Sequence, residues 1–185
     1  DKDWQDKLGK AIDTLKTAQA TKEVDDFEAQ VKLYKPVDTK APGYKLPIVY
    51  VYTVSKTFCE YGMPRYIKYS LQQALMTQHD ADVILVANYA ECPLLKTHAD
   101  QLEGIVQMDT KDLQSNRLRL FHNRSTEIFQ DDGAGNNLWV TSALRFFLLE
   151  NMMIKKSMGE VMHIEADNML YGSYTEIIDV FRKGY

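Results

Sequence analysis

Short, almost uninterrupted apolar stretches alternate with longer segments in which apolar residues recur every three or four positions. The short stretches are rich in β-branched and aromatic residues, which is typical of strands buried on both faces. They predict four strands, at 46–54 (LPIVYVYTV), 82–87 (DVILVA), 104–108 (GIVQM) and 161–166 (VMHIEA).

The longer segments predict helices at 64–77, 93–102, 138–158 and 174–182. The third is apolar on almost every side, so we expect it to be buried. Residues 109–137 have no clean period. Alternation of buried strands with helices predicts an α/β fold, a mainly parallel, Rossmann-like sheet flanked by helices. Ligands bind such sheets beyond the carboxyl ends of the strands.

The first 45 residues differ from the rest. Apolar residues recur at helical spacing from Trp4 through Leu15, which predicts a helical stem over residues 1–34. Residues 35–45 contain two prolines and a glycine and read as a linker. We therefore divide the chain into a stem and linker, 1–45, and a ligand-binding α/β domain, 46–185. The stem either packs on this domain or binds a partner chain.

Composition excludes several classes of protein. The chain has 185 residues, 45% of them hydrophobic, and a net charge of −4, which argues against a disordered chain and against a general nucleic-acid binder. No apolar run reaches the roughly 18–20 residues that span a bilayer. Cys59 and Cys92 are either two buried thiols or, in an oxidising compartment, one disulfide.

Acidic residues follow the fourth predicted strand, in the segment 161–171 (VMHIEADNMLY). Strand alternation places Met162, Ile164 and Ala166 on one face, and His163, Glu165 and Asp167 on the other. Two carboxylates at a sheet's carboxyl edge suit Mg²⁺ or Mn²⁺, whose open positions can take diphosphate oxygens. A solvated strand-end cap is the alternative interpretation. His163 is expected to be a hydrogen-bonded core histidine, with metal ligand or base as alternatives.

Three segments together resemble nucleotide-sugar-dependent glycosyltransferases of the GT-A type. They are 58–78, after the first strand; 139–153, with Trp139, Ser142, Arg145, Phe146 and Glu150; and 163–171, in which Glu165-Ala166-Asp167 is similar to a variant of the D-x-D motif.

The resemblance implies roles for particular residues. Asp167 would bind Mn²⁺ or Mg²⁺ directly, and Glu165 would contact the ribose or a metal-bound water. Thr53 and Val54 would border the nucleotide base. Arg145 would orient the acidic motif or face the diphosphate.

Alternatives stay open for the charged residues of this region. In the alternative interpretation, Arg145 forms an internal ion pair with Glu150 or Asp167. Arg117 or Arg119 is a candidate phosphate contact, with a solvated basic face as the alternative.

The expected function is transfer of a sugar from a nucleoside-diphosphate sugar to a glycan or protein acceptor, with Mn²⁺ or Mg²⁺ held by Asp167 and Glu165. Domains of the resembled kind continue well past the acidic motif, so we expect the donor-binding part of a longer domain. The alternatives are a non-catalytic assembly subunit that keeps the fold, and a metal-dependent hydrolase. The triplet Asn123-Arg124-Ser125 fits the N-x-S/T acceptor pattern of N-glycosylation. This triplet, together with a Cys59–Cys92 disulfide, would favour the secretory lumen (Golgi) or the extracellular space over the cytoplasm.

Overall fold

One parallel sheet organises the chain. The computed structural model describes Ala29 and residues 34–41, 43–128 and 136–183. Within these ranges the sheet has four strands in the order β3-β2-β1-β4. The strands are β1 Ile48–Tyr52, β2 Val83–Ala87, β3 Val106–Asp109 and β4 Met162–Ile164. This architecture confirms the predicted α/β class.

Five α-helices surround the sheet in the described part of the chain. They are α1 Arg65–Thr77, α2 Pro93–Ala99, α3 Asn116–Ile128, α4 Asn136–Lys156 and α5 Tyr174–Lys183. Two short 3₁₀ turns, Lys56–Tyr61 and Thr110–Leu113, follow β1 and β3. Helix α3 lies where the sequence had no clean period.

A separate core fills each face of the sheet. Residues Ile48, Tyr50 and Leu85 point to one side and pack with Ile67 and Leu71 of α1; Leu95 of α2 joins the same core. Alternate residues of the same strands, such as Val49 and Val86, pack on the other side with α3 and α4. Because strands β1 and β2 are covered by helices on both faces of the sheet, hydrophobic residues occupy every position of both strands.

The fourth strand is shorter than predicted. It pairs with β1 over three residues only, Ile48 with Met162 through Tyr50 with Ile164. Beyond it, the amide of Asn168 donates to the carbonyl of Glu165 at 3.0 Å, so residues 165–168 form a turn instead of more strand. Met162, Ile164 and Ala166 nevertheless share the first core, as strand alternation predicted.

Helix α4 is only partly buried, so the prediction of an all-round buried helix was wrong. Leu148, Leu149 and Met152 lie in the second core, whereas Phe146 is 66% exposed. Its apolar residues exceed what one face of a sheet can cover.

The described part of the predicted linker lies against the end of α4. The Val37 amide donates to the Ser157 carbonyl at 2.8 Å, and the Tyr44 hydroxyl donates to the Glu160 carbonyl at 3.1 Å. The predicted stem, residues 1–34, falls outside the described residues apart from Ala29 and Tyr34.

Candidate functional site

A large cavity opens at the carboxyl edge of β1, β2 and β3. Its volume is about 1190 Å³, which is ample for a nucleotide or a nucleotide sugar. The strand ends, the 3₁₀ turn after β1, and helices α3 and α4 form its walls. Thr53 and Val54, the predicted base-bordering residues, line it.

Asn88 fixes the strand-end wall of the cavity. It follows β2 and is only 4% exposed. Its side-chain oxygen accepts from the Val54 amide at 3.1 Å, and its side-chain nitrogen donates to the Val54 carbonyl at 2.8 Å. The side-chain amide thus extends the hydrogen-bond ladder between β1 and β2 past the strands' own ends. Sequence reasoning missed this residue, although a polar residue directly after five buried ones was a visible signal.

Asp109, at the end of β3, joins two more loops of this edge. One carboxylate oxygen accepts from the Ala90 amide at 2.8 Å, and the other accepts from the Lys111 amide at 3.0 Å. The loops after β2 and β3 are therefore held together by a strand-end carboxylate.

Aromatic side chains form a second wall. Tyr52, Phe58 and Tyr61 line the cavity, and Phe58 and Tyr61 are largely exposed, with ring centroids 6.3 Å apart. Burial raises the pKa of Tyr52 to about 12, with a smaller contribution from Tyr66. This phenol stays protonated at physiological pH and can donate a hydrogen bond.

The turn that carries Phe58 and Tyr61 is anchored to α2. Cys59 and Cys92 form a disulfide with their Cα atoms 5.3 Å apart, which decides between the two alternatives left open by the sequence. Next to it, the Met63 amide donates to Nδ1 of His98 at 2.9 Å. Burial lowers the pKa of His98, and Lys68 acts in the same direction. The neutral imidazole is therefore the form that accepts this bond.

Helix α3 supplies a polar wall. Arg119, His122 and Asn116 line the cavity, and the Arg119 guanidinium donates to the Asn116 side-chain oxygen. Arg117 instead pairs with Glu150, with the closest nitrogen and oxygen 2.9 Å apart. Of the two arginines considered for phosphate contact, the structure thus brings Arg119, and not Arg117, to the cavity.

The acidic turn lies at the same edge of the sheet, beside the cavity. Arg145 of α4 forms an ion pair with Glu165, whose side chain is 52% exposed. The neighbouring Leu144 lines the cavity, whereas Glu165 and Asp167 do not. Asp167 is exposed and forms no ion pair or hydrogen bond with the residues that the structure describes. The alternative partners Glu150 and Asp167 for Arg145 are not observed.

His163 does not match the expected hydrogen-bonded core histidine. Its Nε2 atom is buried and finds no partner in the described part of the chain. Burial lowers its pKa, Glu165 opposes that shift, and Arg145 reinforces it. The ring of Phe146 lies 6.5 Å away, centroid to centroid. His163 is thus a neutral group within electrostatic reach of Arg145 and Glu165.

The predicted acceptor triplet sits in a helix. Asn123 is exposed on α3, but Ser125 is 2% exposed and its hydroxyl donates to the His122 carbonyl at 2.9 Å. The folded chain therefore does not present this triplet as an open loop.

A metal at this edge would rely on few protein ligands. Over the described ranges, no three His, Cys, Asp or Glu residues cluster as a ready-made metal site. The chemistry of the donors still fits Mg²⁺ or Mn²⁺, because such ions commonly use one or two carboxylates together with substrate phosphates and water. Asp167 and Glu165, the two exposed carboxylates of the predicted motif, could supply such ligands.

Comparison with protein-family models, with curated proteins and with solved structures gives no match to this chain. Among the helices described, none has both the length and the apolar composition required to cross a bilayer.

Proposed function

We propose that the chain binds a nucleoside-diphosphate sugar and is the donor-binding part of a metal-dependent glycosyltransferase. The observation that carries the proposal is the cavity of about 1190 Å³ at the carboxyl edge of three parallel strands, with Thr53 and Val54 in its wall. In open parallel sheets this edge is where nucleotides bind.

The lining of the cavity suits a nucleotide. Flat aromatic faces at Tyr52, Phe58 and Tyr61 can stack on a base. In the same lining, Arg119 of α3 can form charge-assisted hydrogen bonds with phosphate oxygens. Aromatic rings and a cation in one cavity are the combination that a base joined to a diphosphate requires.

The acidic turn supplies the place for a cation. Asp167 would hold Mn²⁺ or Mg²⁺, and Glu165, kept in position by Arg145, would contact the ribose or a metal-bound water. Such an ion stabilises the negative charge that develops on a departing diphosphate. The chain's own part is to hold the donor, to orient Glu165 through a guanidinium, and to offset phosphate charge with Arg119.

Calorimetric titration with UDP, GDP and ADP, each with and without Mn²⁺, tests the proposal. We expect micromolar binding of at least one diphosphate that strengthens when Mn²⁺ is present. Arg119→Ala should weaken binding about ten- to a hundredfold with or without the metal, since one charge-assisted contact contributes about 1.5–3 kcal/mol. Asp167→Asn should abolish only the gain due to Mn²⁺.

Matched controls lie at the opposite, amino edge of the sheet. Lys45→Ala removes an exposed cation before β1, and Asp82→Asn neutralises an exposed acid before β2. Neither should change binding. Absence of diphosphate binding in the unmodified protein, or equal losses in the controls and the site variants, would overturn the proposal.

One observation favours a second candidate, a non-catalytic assembly subunit. Helix α5 has no buried residue, and Ile177, Val180 and Phe181 are all exposed on it. If this patch pairs two copies, sedimentation velocity should give a dimer for the unmodified chain and a monomer for Phe181→Glu. If the unmodified chain is monomeric at high micromolar concentration, the assembly-subunit candidate is excluded.

We propose an oxidising compartment, the secretory lumen or the extracellular space, as the site of action. The support is the Cys59–Cys92 disulfide, because such bonds persist where thiols are not kept reduced. Thiol labelling of the chain isolated from its source without reductant should detect neither cysteine. Labelling of both would favour the cytoplasm.

A further inference from the structure

The segment that follows the acidic turn runs along α1 as a strap, residues 168–174. Polar side chains of α1, and of Gln78 directly after it, bind the backbone of this segment. Ser70 donates to the Asn168 carbonyl, and Gln78 donates to the Gly172 carbonyl at 2.6 Å. The Thr77 hydroxyl shares its proton between the Leu170 carbonyl at 3.1 Å and the carbonyl of Gln73, in its own helix, at 2.9 Å. Gln78 also accepts from the Tyr174 amide at 2.9 Å.

The spacing of these contacts follows the helical repeat along α1 and the two-residue repeat of an extended chain along the strap. Ser70 and Thr77 are seven residues apart, which is two helical turns on the same face. The bound carbonyls belong to every second residue of the strap, as expected for an extended chain with one side against the helix. Leu170 is accordingly buried, and Met169 and Tyr171 are exposed. The backbone of the strap is thus bound along its length by side chains of α1 and of Gln78.

Two of these side chains are buried at a place where an apolar residue would pack as well. Ser70 is 0% exposed and Gln78 is 3% exposed. Burying a hydroxyl or an amide costs free energy unless it is hydrogen-bonded, and here the partners are strap carbonyls. The first of these carbonyls belongs to Asn168, which follows Asp167 and whose amide closes the turn that begins at Glu165.

We infer that Ser70, Thr77 and Gln78 are positioning residues that hold Asp167 at the carboxyl edge of the sheet. Their effect on metal binding rests on the proposed function, whereas their effect on the strap does not. Arg145 holds the start of the turn through Glu165, and Ser70 holds its end through the Asn168 carbonyl. Asp167 lies between these two anchors.

Hydrogen exchange tests the anchoring directly. Ser70→Ala should raise the exchange of the Asn168 amide, which is hydrogen-bonded to the Glu165 carbonyl, about fivefold, the effect of one lost hydrogen bond. Thr77→Val removes the second hydroxyl with little change of shape, and Thr77→Ser restores it. We expect faster exchange in the former and recovery in the latter. The control is Gln72→Ala, which changes an exposed residue of the same helix.

Titration with Mn²⁺ together with UDP, GDP or ADP tests the consequence for the site. Ser70→Ala and Thr77→Val should weaken the Mn²⁺-dependent part of binding about tenfold, as loss of a supporting partner of a metal ligand does. Binding without Mn²⁺ should stay unchanged, which a general loss of folding would not allow. Thr77→Ser should restore the dependence on Mn²⁺.

The two arms separate the two ideas. If no diphosphate binds the unmodified chain, the proposed function fails, and the exchange data still decide whether these residues hold the strap. Exchange that is the same in Ser70→Ala, Thr77→Val and the unmodified chain would overturn the inference, as would exchange that rises equally in every peptide. Mn²⁺-dependent binding that survives both substitutions would show that the strap does not position the acid.

Discussion

Asn88 gives a sharp test of how the cavity wall is built. Replacing it with alanine removes both side-chain hydrogen bonds to Val54 and one to Glu91 at 3.1 Å. Each bond to Val54 contributes about 1 kcal/mol, and the bond to the exposed Glu91 adds little. We therefore expect Asn88→Ala to lower the free energy of unfolding by about 2 kcal/mol.

Urea denaturation measures this loss, and Gln101→Ala, which shortens an exposed amide, is its control. Asn88→Asp separates the two halves of the contact, because it keeps the acceptor for the Val54 amide but loses the donor for the Val54 carbonyl. It also places a second carboxylate beside Glu91, so it should be at least as unstable as Asn88→Ala at neutral pH. A loss below about 0.5 kcal/mol in Asn88→Ala would refute the view that this side chain joins β1 to β2.

Three further outcomes concern the turn after β1 and its contacts with α2. Gly62 has a φ of +62°, and a Cβ there would lie 2.5 Å from Cε1 of His98, whereas Gly43 has a φ of +79° with nothing within 4 Å of such a Cβ. The melting temperature of Gly62→Ala should therefore be well below that of Gly43→Ala, and equal losses would argue against close packing at Gly62. Burial lowers the folded-state pKa of His98, so its contribution to the free energy of unfolding is complete above the unfolded-state pKa of about 6.5 and decreases as the pH falls below that value. In His98→Gln, the urea midpoint should therefore change less between pH 7 and pH 5 than in the unmodified chain. Reducing Cys59–Cys92, which are 33 residues apart, should cost about 4 kcal/mol of unfolding free energy, and a reductant-independent melting temperature would contradict this.

The fold was predictable because its strongest signal is local. Strands β1 and β2 lie between two helical layers, so every residue must be apolar, and this is visible in five consecutive letters. Helix α3 was not predictable in the same way. Between residues 116 and 125 only Leu118 and Ser125 are buried, so most of its surface faces solvent or the cavity and has no apolar stripe.

The ends of elements depended on contacts that a local pattern does not contain. Alternation placed Met162, Ile164 and Ala166 correctly on one core, but β4 has a neighbour on one side only and stops pairing after Ile164. The chain then turns, so the spacing of Glu165 and Asp167 follows turn geometry instead of strand geometry. The position of a carboxylate two residues past an edge strand is therefore set by what holds the turn.

What holds the turn comes from distant parts of the sequence. The partner of Glu165 is Arg145, 20 residues earlier, and the partner of the Asn168 carbonyl is Ser70, 98 residues earlier. An arginine within an apolar helix is conspicuous in the sequence. A serine on a helix is ordinary in sequence, and only its complete burial distinguishes it. Charged anchors of a site can thus be suspected from composition alone, whereas neutral anchors become visible only when the fold brings a backbone carbonyl to them.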